Sequence, residues 1–84
     1  MQLEIFTPSE KVFSGEVKLV KVPGSSGSFE ILKNHAPIIS ALGEGELKVE
    51  TEAGEMLRYK ISSGVIEVKG NNIVALAESL STVQ

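Results

Sequence analysis

Cysteine is absent, so neither a disulfide framework nor a thiolate metal site is available. Aspartate is absent as well: all 11 acidic residues are Glu. Histidine occurs once, at position 35, and only four residues are aromatic, three Phe and one Tyr. Eight Lys and Arg against 11 Glu leave a formal charge of −3, so no basic field draws nucleic acid or an anionic lipid surface. No stretch approaches the roughly 20 apolar residues that span a bilayer. The start, MQLEIFTPSEK, lacks both the basic head and the apolar run of a secretory signal. The expectation is a soluble protein kept in the compartment where it is made. At 84 residues the chain reads as one domain, 1–84, with a small core of its own. Such a domain, without covalent staples, often draws part of its stability from a partner.

What is present is apolar residues recurring with period two, the signature of strands. In QLEIF, Leu3 and Ile5 share one face. SFEIL sets Phe29 and Ile31 against Ser28 and Glu30; ELKVETE sets Leu47 and Val49 against Lys48 and Glu50; LRYKIS sets Leu57, Tyr59 and Ile61 against Arg58 and Lys60. VIEVK and NIVALAE complete the set. GEVKLVKV begins with Val17 and Leu19 in phase, then moves to Val20 and Val22, which predicts a bulge or a strand crossing between sheets. Turn residues punctuate the runs at Pro23-Gly24, Asn34 to Pro37, Gly43 and Gly45, Ala53-Gly54, Ser63-Gly64 and Gly70-Asn71-Asn72. This spacing predicts an all-β fold, a single sandwich of two mainly antiparallel sheets. Only the final ALAESLSTVQ leaves room for a helix, too short to stand alone.

His35 invites a catalytic reading, but a general base needs a nucleophile and an orienting carboxylate, and no hydrolase motif surrounds it. One His among Glu residues, with no second His or Cys, makes a poor zinc site. PGSSGS, residues 23–28, has backbone amides that suit an anion, yet a strand follows it where a phosphate loop requires a helix. The expectation is therefore no catalytic residue, no cofactor and no metal. His35 reads as a residue that structures a loop or touches a partner. The alternating Glu and Lys of KVETE and LRYK read as a solvated face. Three features resist that account: Ile38, Ile39 and Leu42 in the uncharged PIISAL, the five apolar residues of IVALA, and the pair Phe13 and Phe29. A sandwich this small cannot hide them all, and exposed apolar patches on soluble proteins mark partner interfaces.

Three segments taken in order, VFSGEV, GSFEILKNHAPIISAL and ISSGVIEV, resemble the epsilon subunit of F-type ATP synthases. Phe13-Ser14-Gly15, His35-Ala36-Pro37 and Ser63-Gly64-Val65-Ile66 fall on that family's Phe-Ser-Gly, His-Ala-Pro and Gly-apolar-apolar motifs, and the likeness covers essentially the whole chain. The resemblance implies a non-catalytic β-sandwich of the central stalk. It would lie between the gamma subunit and the c-ring, turn with both, and couple proton translocation to ATP synthesis in the alpha/beta head. It also implies residue roles. Thr7, His35, Ala36, Pro37, Ile38 and Ser40 would face gamma, with Thr7 near the His-Ala-Pro loop, and Gly27, Ser28 and Phe29 would face the c-ring. The implied location is the cytoplasmic face of a bacterial inner membrane, with membrane contact only through the complex. The family usually continues into a C-terminal helical pair, so a chain ending at Gln84 is expected to be a short form without it. Two other readings remain: a free-standing β-sandwich interaction module, and a small enzyme that gathers His35 with a Glu and a Ser.

Overall fold

The computed structural model describes residues 1–83. Gln84, the last residue of the expected domain and of the segment left open as a helix, lies outside them. Nine strands form: β1 Gln2–Phe6, β2 Lys11–Gly24, β3 Gly27–Leu32, β4 Ile38–Leu42, β5 Gly45–Thr51, β6 Met56–Ile61, β7 Gly64–Lys69, β8 Asn72–Ala77 and β9 Leu80–Thr82.

The long β2 joins two layers. Its first half pairs with β1, from Gln2↔Glu16 to Phe6↔Lys11, and its second half pairs with β3 and β5. The first layer therefore runs β2–β1–β8–β7–β4 and the second β3–β2–β5–β6–β9. All pairings are antiparallel except β1 with β8. The change of phase after Val17 has its cause in the register: Val17 lies opposite Thr51 and Leu19 opposite Glu50, so Lys18 is an extra residue. That bulge turns Val20 and Val22 into the core where β2 passes from one layer to the other.

Alternation does the rest. Leu3, Ile5, Val17, Val20, Val22, Ile31, Leu42, Leu47, Val49, Tyr59, Ile61, Ile66, Val68, Ile73, Ala75 and Ala77 form one core between the layers. Among the described residues, no charged or polar residue is buried with them. Sheets packed face to face in this way leave each layer with one outer face.

PIISAL, which follows the turn residues Asn34 to Pro37, is mostly a strand, β4, with Ile38, Ile39 and Leu42 on it. Two expectations change. Pro23-Gly24 does not turn: the two residues end β2, and the turn is Ser25-Ser26, closed by the pair Gly24↔Gly27. A side chain at Gly24 would meet the Gly27 carbonyl oxygen at 2.5 Å and the Phe29 ring at 2.9 Å, so this close approach requires glycine. The segment left open as a helix continues β8 and then adds β9, because Tyr59↔Thr82 and Ile61↔Leu80 complete the edge of β6. Pairing with a formed sheet overrides the weak helical tendency of an Ala- and Ser-containing segment.

Candidate protein interface

The loop bearing His35 is set by a tight turn. The His35 N–H donates to the Leu32 carbonyl at 3.1 Å, and Asn34 takes φ +67°, the left-handed conformation that Asn tolerates better than most residues. Pro37 then fixes its own φ and biases Ala36 toward extended backbone. The His35 Nδ1–H donates to the carbonyl of Ala36 at 2.7 Å. That contact, with its nearest chain neighbour, is the ring's only hydrogen bond among the described residues. The His35 side chain is half-buried and makes no ion pair with Glu among those residues. Nothing here assembles a nucleophile, a base and an orienting carboxylate.

Ile38 and Ile39, adjacent in sequence, part company in space. Ile38 lies opposite Val68 and packs against the core, whereas Ile39 is 72% exposed. Ser40, half-buried, faces the same way as Ile38, and its hydroxyl donates to the Ala41 carbonyl at 3.2 Å. The outer residues of β4 are thus Ile39 and Ala41. Register extends Ala41 across the first layer, where Ala41↔Val65, Val65↔Leu76 and Leu76↔Phe6 stand side by side, while Ile39 lies opposite Glu67 in the next row. Val65 and Leu76 are 43% and 51% exposed. The result is an apolar stripe across the outer face. A shallow apolar groove of about 440 Å³ at one end is lined by Pro37, Ile38, Ile39 and Val68, with Glu67 and Lys69 at its sides.

Thr7 is not beside the His-Ala-Pro loop. The loop precedes Ile38, which is level with Val68, while Thr7 follows Phe6, which is level with Leu76 and Val65. At about 3.4 Å per residue the two ends of the layer are roughly 17 Å apart. Thr7 instead joins the far end of the stripe, where it lines a hollow with Pro8, Val65 and Leu76. Its backbone closes the β1–β2 connection, Thr7 N–H donating to the Glu10 carbonyl at 2.9 Å.

The hairpin tip lies at the end of β4 remote from His35, since Gly24 pairs with Leu42 and the Ser25 N–H donates to the Ala41 carbonyl at 3.0 Å. Gly27 and Ser28 are exposed there. Phe29 is not a projecting tip residue: its ring lies over Gly24 and packs against the core. Sequence reasoning missed Val65 and Phe6 as surface residues of the stripe. The signal was present in their phase, opposite to the core positions Ile66 and Ile5.

Residues 1–83 match the family described as ATP synthase, Delta/Epsilon chain, beta-sandwich domain. The ATP synthase epsilon chain of Chlorobaculum tepidum is 38% identical over 79 residues, covering 94% of this chain and 90% of that one. The ATP synthase epsilon chain of Desulforamulus reducens is 41% identical over 78 residues, and the match spans only 58% of its length. Among solved structures, a chain in the Euglena gracilis mitochondrial ATP synthase OSCP/F1/c-ring assembly superposes with a TM-score of 0.89 at 23% identity, covering 95% of this chain and 51% of that one. A chain in the central stalk and c-ring of Tetrahymena thermophila mitochondrial ATP synthase gives 0.77 at 19% identity, covering 96% and 65%. At those identities the two structures speak to the fold, and they agree with the two-layer architecture. With its motifs, its sandwich and its sequence relatives in accord, the chain belongs to the beta-sandwich domain family of the ATP synthase delta/epsilon chain.

Proposed function

We propose that this chain is a non-catalytic rotor subunit of an F-type ATP synthase, linking the gamma subunit to the c-ring and so coupling proton translocation to ATP synthesis. The observation that carries the reading is the apolar stripe of Ala41, Val65, Leu76 and Phe6, with the exposed Ile39 between it and the His35–Pro37 loop, on a chain whose curated relatives are ATP synthase epsilon chains. An exposed apolar surface of this kind on a small sandwich is suited to burial by a partner. Gamma covers the stripe, with His35, Ala36, Pro37 and Ile38 at one end, Ser40 along β4 and Thr7 at the other end. The c-ring loops meet the tip at Gly27 and Ser28, with Phe29 bracing it from beneath. The alpha/beta head is reached only through gamma, and the membrane only through the complex, on the cytoplasmic face of a bacterial inner membrane. Transmitting torque requires a stiff body and a broad contact, and two hydrogen-bonded layers closed on one dry core supply the stiffness.

The test is titration of the chain into the cognate head-plus-gamma complex lacking this subunit, with affinity and ATP hydrolysis followed together. Stoichiometric binding is expected. Ile39→Glu should weaken it by roughly 30- to 100-fold, since a charge placed where an exposed apolar side chain meets the partner costs about 2–3 kcal/mol. His35→Ala should cost about 1–3 kcal/mol. Absence of binding at micromolar concentration would overturn the reading and leave a free-standing interaction module.

A further inference from the structure

The loop from Lys33 to Pro37 is held mostly by itself. Its turn closes through His35 N–H on Leu32, and the His35 ring rests on its neighbour's carbonyl. Among the described residues, one hydrogen bond ties this loop to a distant element: the Asn34 N–H donates to Oδ1 of Asn71 at 3.3 Å, across 37 positions of sequence.

Both ends of that bond are informative. Asn34 is the one non-glycine residue with positive φ among those described, at +67°. L-residues disfavour that conformation, so the loop has reason to relax when nothing holds its amide. Asn71 sits in the Gly70-Asn71 turn between β7 and β8, where Gly70 takes φ +62° and Asn71 itself needs no special conformation. Its backbone carbonyl accepts the Gln2 N–H at 2.8 Å, which pins the turn to the start of β1. The side chain therefore reaches out from a fixed corner of the first layer to the least constrained part of the candidate interface.

We infer that Asn71 is the positioning residue of the His35–Pro37 loop. Its amide oxygen holds Asn34 and thereby sets the direction in which His35, Ala36 and Pro37 meet the partner. This inference rests on the reading that the loop belongs to the stalk interface. Asn71 acts through Asn34 and does not itself meet the partner.

Asn71→Ala removes the acceptor without straining the backbone, and Asn71→Asp keeps an oxygen at the same place. Three quantities are measured on each: affinity for the head-plus-gamma complex, exchange of the Asn34 amide with solvent by NMR, and the midpoint of thermal unfolding. For Asn71→Ala the affinity should fall about 5- to 10-fold and the Asn34 amide should exchange about 10-fold faster, the scale of one lost hydrogen bond. The midpoint should stay in place, and Asn71→Asp should restore both affinity and protection. Native affinity in Asn71→Ala, while His35→Ala binds weakly, overturns the positioning role and leaves the interface standing. Native affinity in both variants overturns the interface, and the positioning role with it. Lost affinity that Asn71→Asp does not restore also overturns it, because the oxygen would then not be what matters.

Discussion

The two outer faces of the sandwich are built from the same alternation and finished in opposite ways. On the second layer, register sets Lys21, Lys48 and Arg58 side by side, with Glu30 next to Lys21. Glu46 gathers this charge: Arg58 grips both its carboxylate oxygens, at 2.8 and 2.9 Å, and the Lys48 Nζ stands 3.8 Å away. The exposed Leu32 and Met56 of that face are separated in their row by Glu50. Its charges cover the face, two of them gathered by Glu46, and its apolar residues are interrupted. The first layer shows the reverse. Ala41, Val65, Leu76 and Phe6 follow without a break, with Lys11 at the end of their row, 5.6 Å from the centre of the Phe6 ring and paired with Glu4 at 3.1 Å; the next row, from Ile39 through Glu67 and Val74 to Glu4, carries the acidic charge. A face this densely charged, with its apolar residues interrupted, suits water. A face with an apolar row that runs on across four strands is completed by something else.

The sharpest way to break that comparison lies within β7, where neighbours look in opposite directions. Ile66 is fully buried and Val65 is 43% exposed. Ile66→Ala should cost about 2–5 kcal/mol of folding stability, the range for emptying a packed core site. Val65→Ala should change stability by less than about 0.5 kcal/mol, as surface substitutions do. Denaturant unfolding of the two variants decides it. Similar losses in both would mean that Val65 packs as core does, and the stripe would cease to be a surface.

That division was legible in the sequence for the strands with clean alternation, and the phase change at Val20 announced the bulge at Lys18. Asn34 was legible too, because few residues accept a left-handed turn beside His-Ala-Pro. Other features depend on information the local pattern does not carry. The separation of Thr7 from His35 follows from β1 pairing in parallel with β8, a long-range choice. The inward turn of Phe29 depends on the space Gly24 leaves for its ring. β9 has three residues and exists because β6 offers an edge. Asn71 looked like turn punctuation, since a side chain reaching 37 positions back leaves no periodic trace.

A smaller effect tests the inner side of the charged layer. Tyr59 is 8% exposed, and burial, with Glu55 nearby, pushes its phenol above the ordinary value of about 10. Folding therefore favours the neutral phenol. The corresponding stability is fully present below about pH 10 and is lost as pH rises through the raised value in the folded state. Denaturation midpoints measured from pH 8 to 11 should fall more steeply in the native chain than in Tyr59→Phe. Parallel curves would place the Tyr59 hydroxyl in water and remove it from the core side of β6.

The smallest effect belongs to the charged face itself. The hydrogen bonds from Arg58 hold the Glu46 carboxyl below its usual range; burial opposes them, and the charges of Arg58 and then Lys48 add to the lowering. A lowered value in the folded state means that the stabilisation is present above the ordinary carboxylate range, near pH 4.3, and disappears as pH falls through the lowered value. Arg58→Ala should return Glu46 to the ordinary range and flatten that part of the acid limb. The change should be slight and should shrink in added salt, because the pair is exposed and screened by water and ions. Binding to the head-plus-gamma complex should not change at all in this variant. Weakened binding in Arg58→Ala would make the second layer an interface as well, and the contrast between a finished face and an open one would fail.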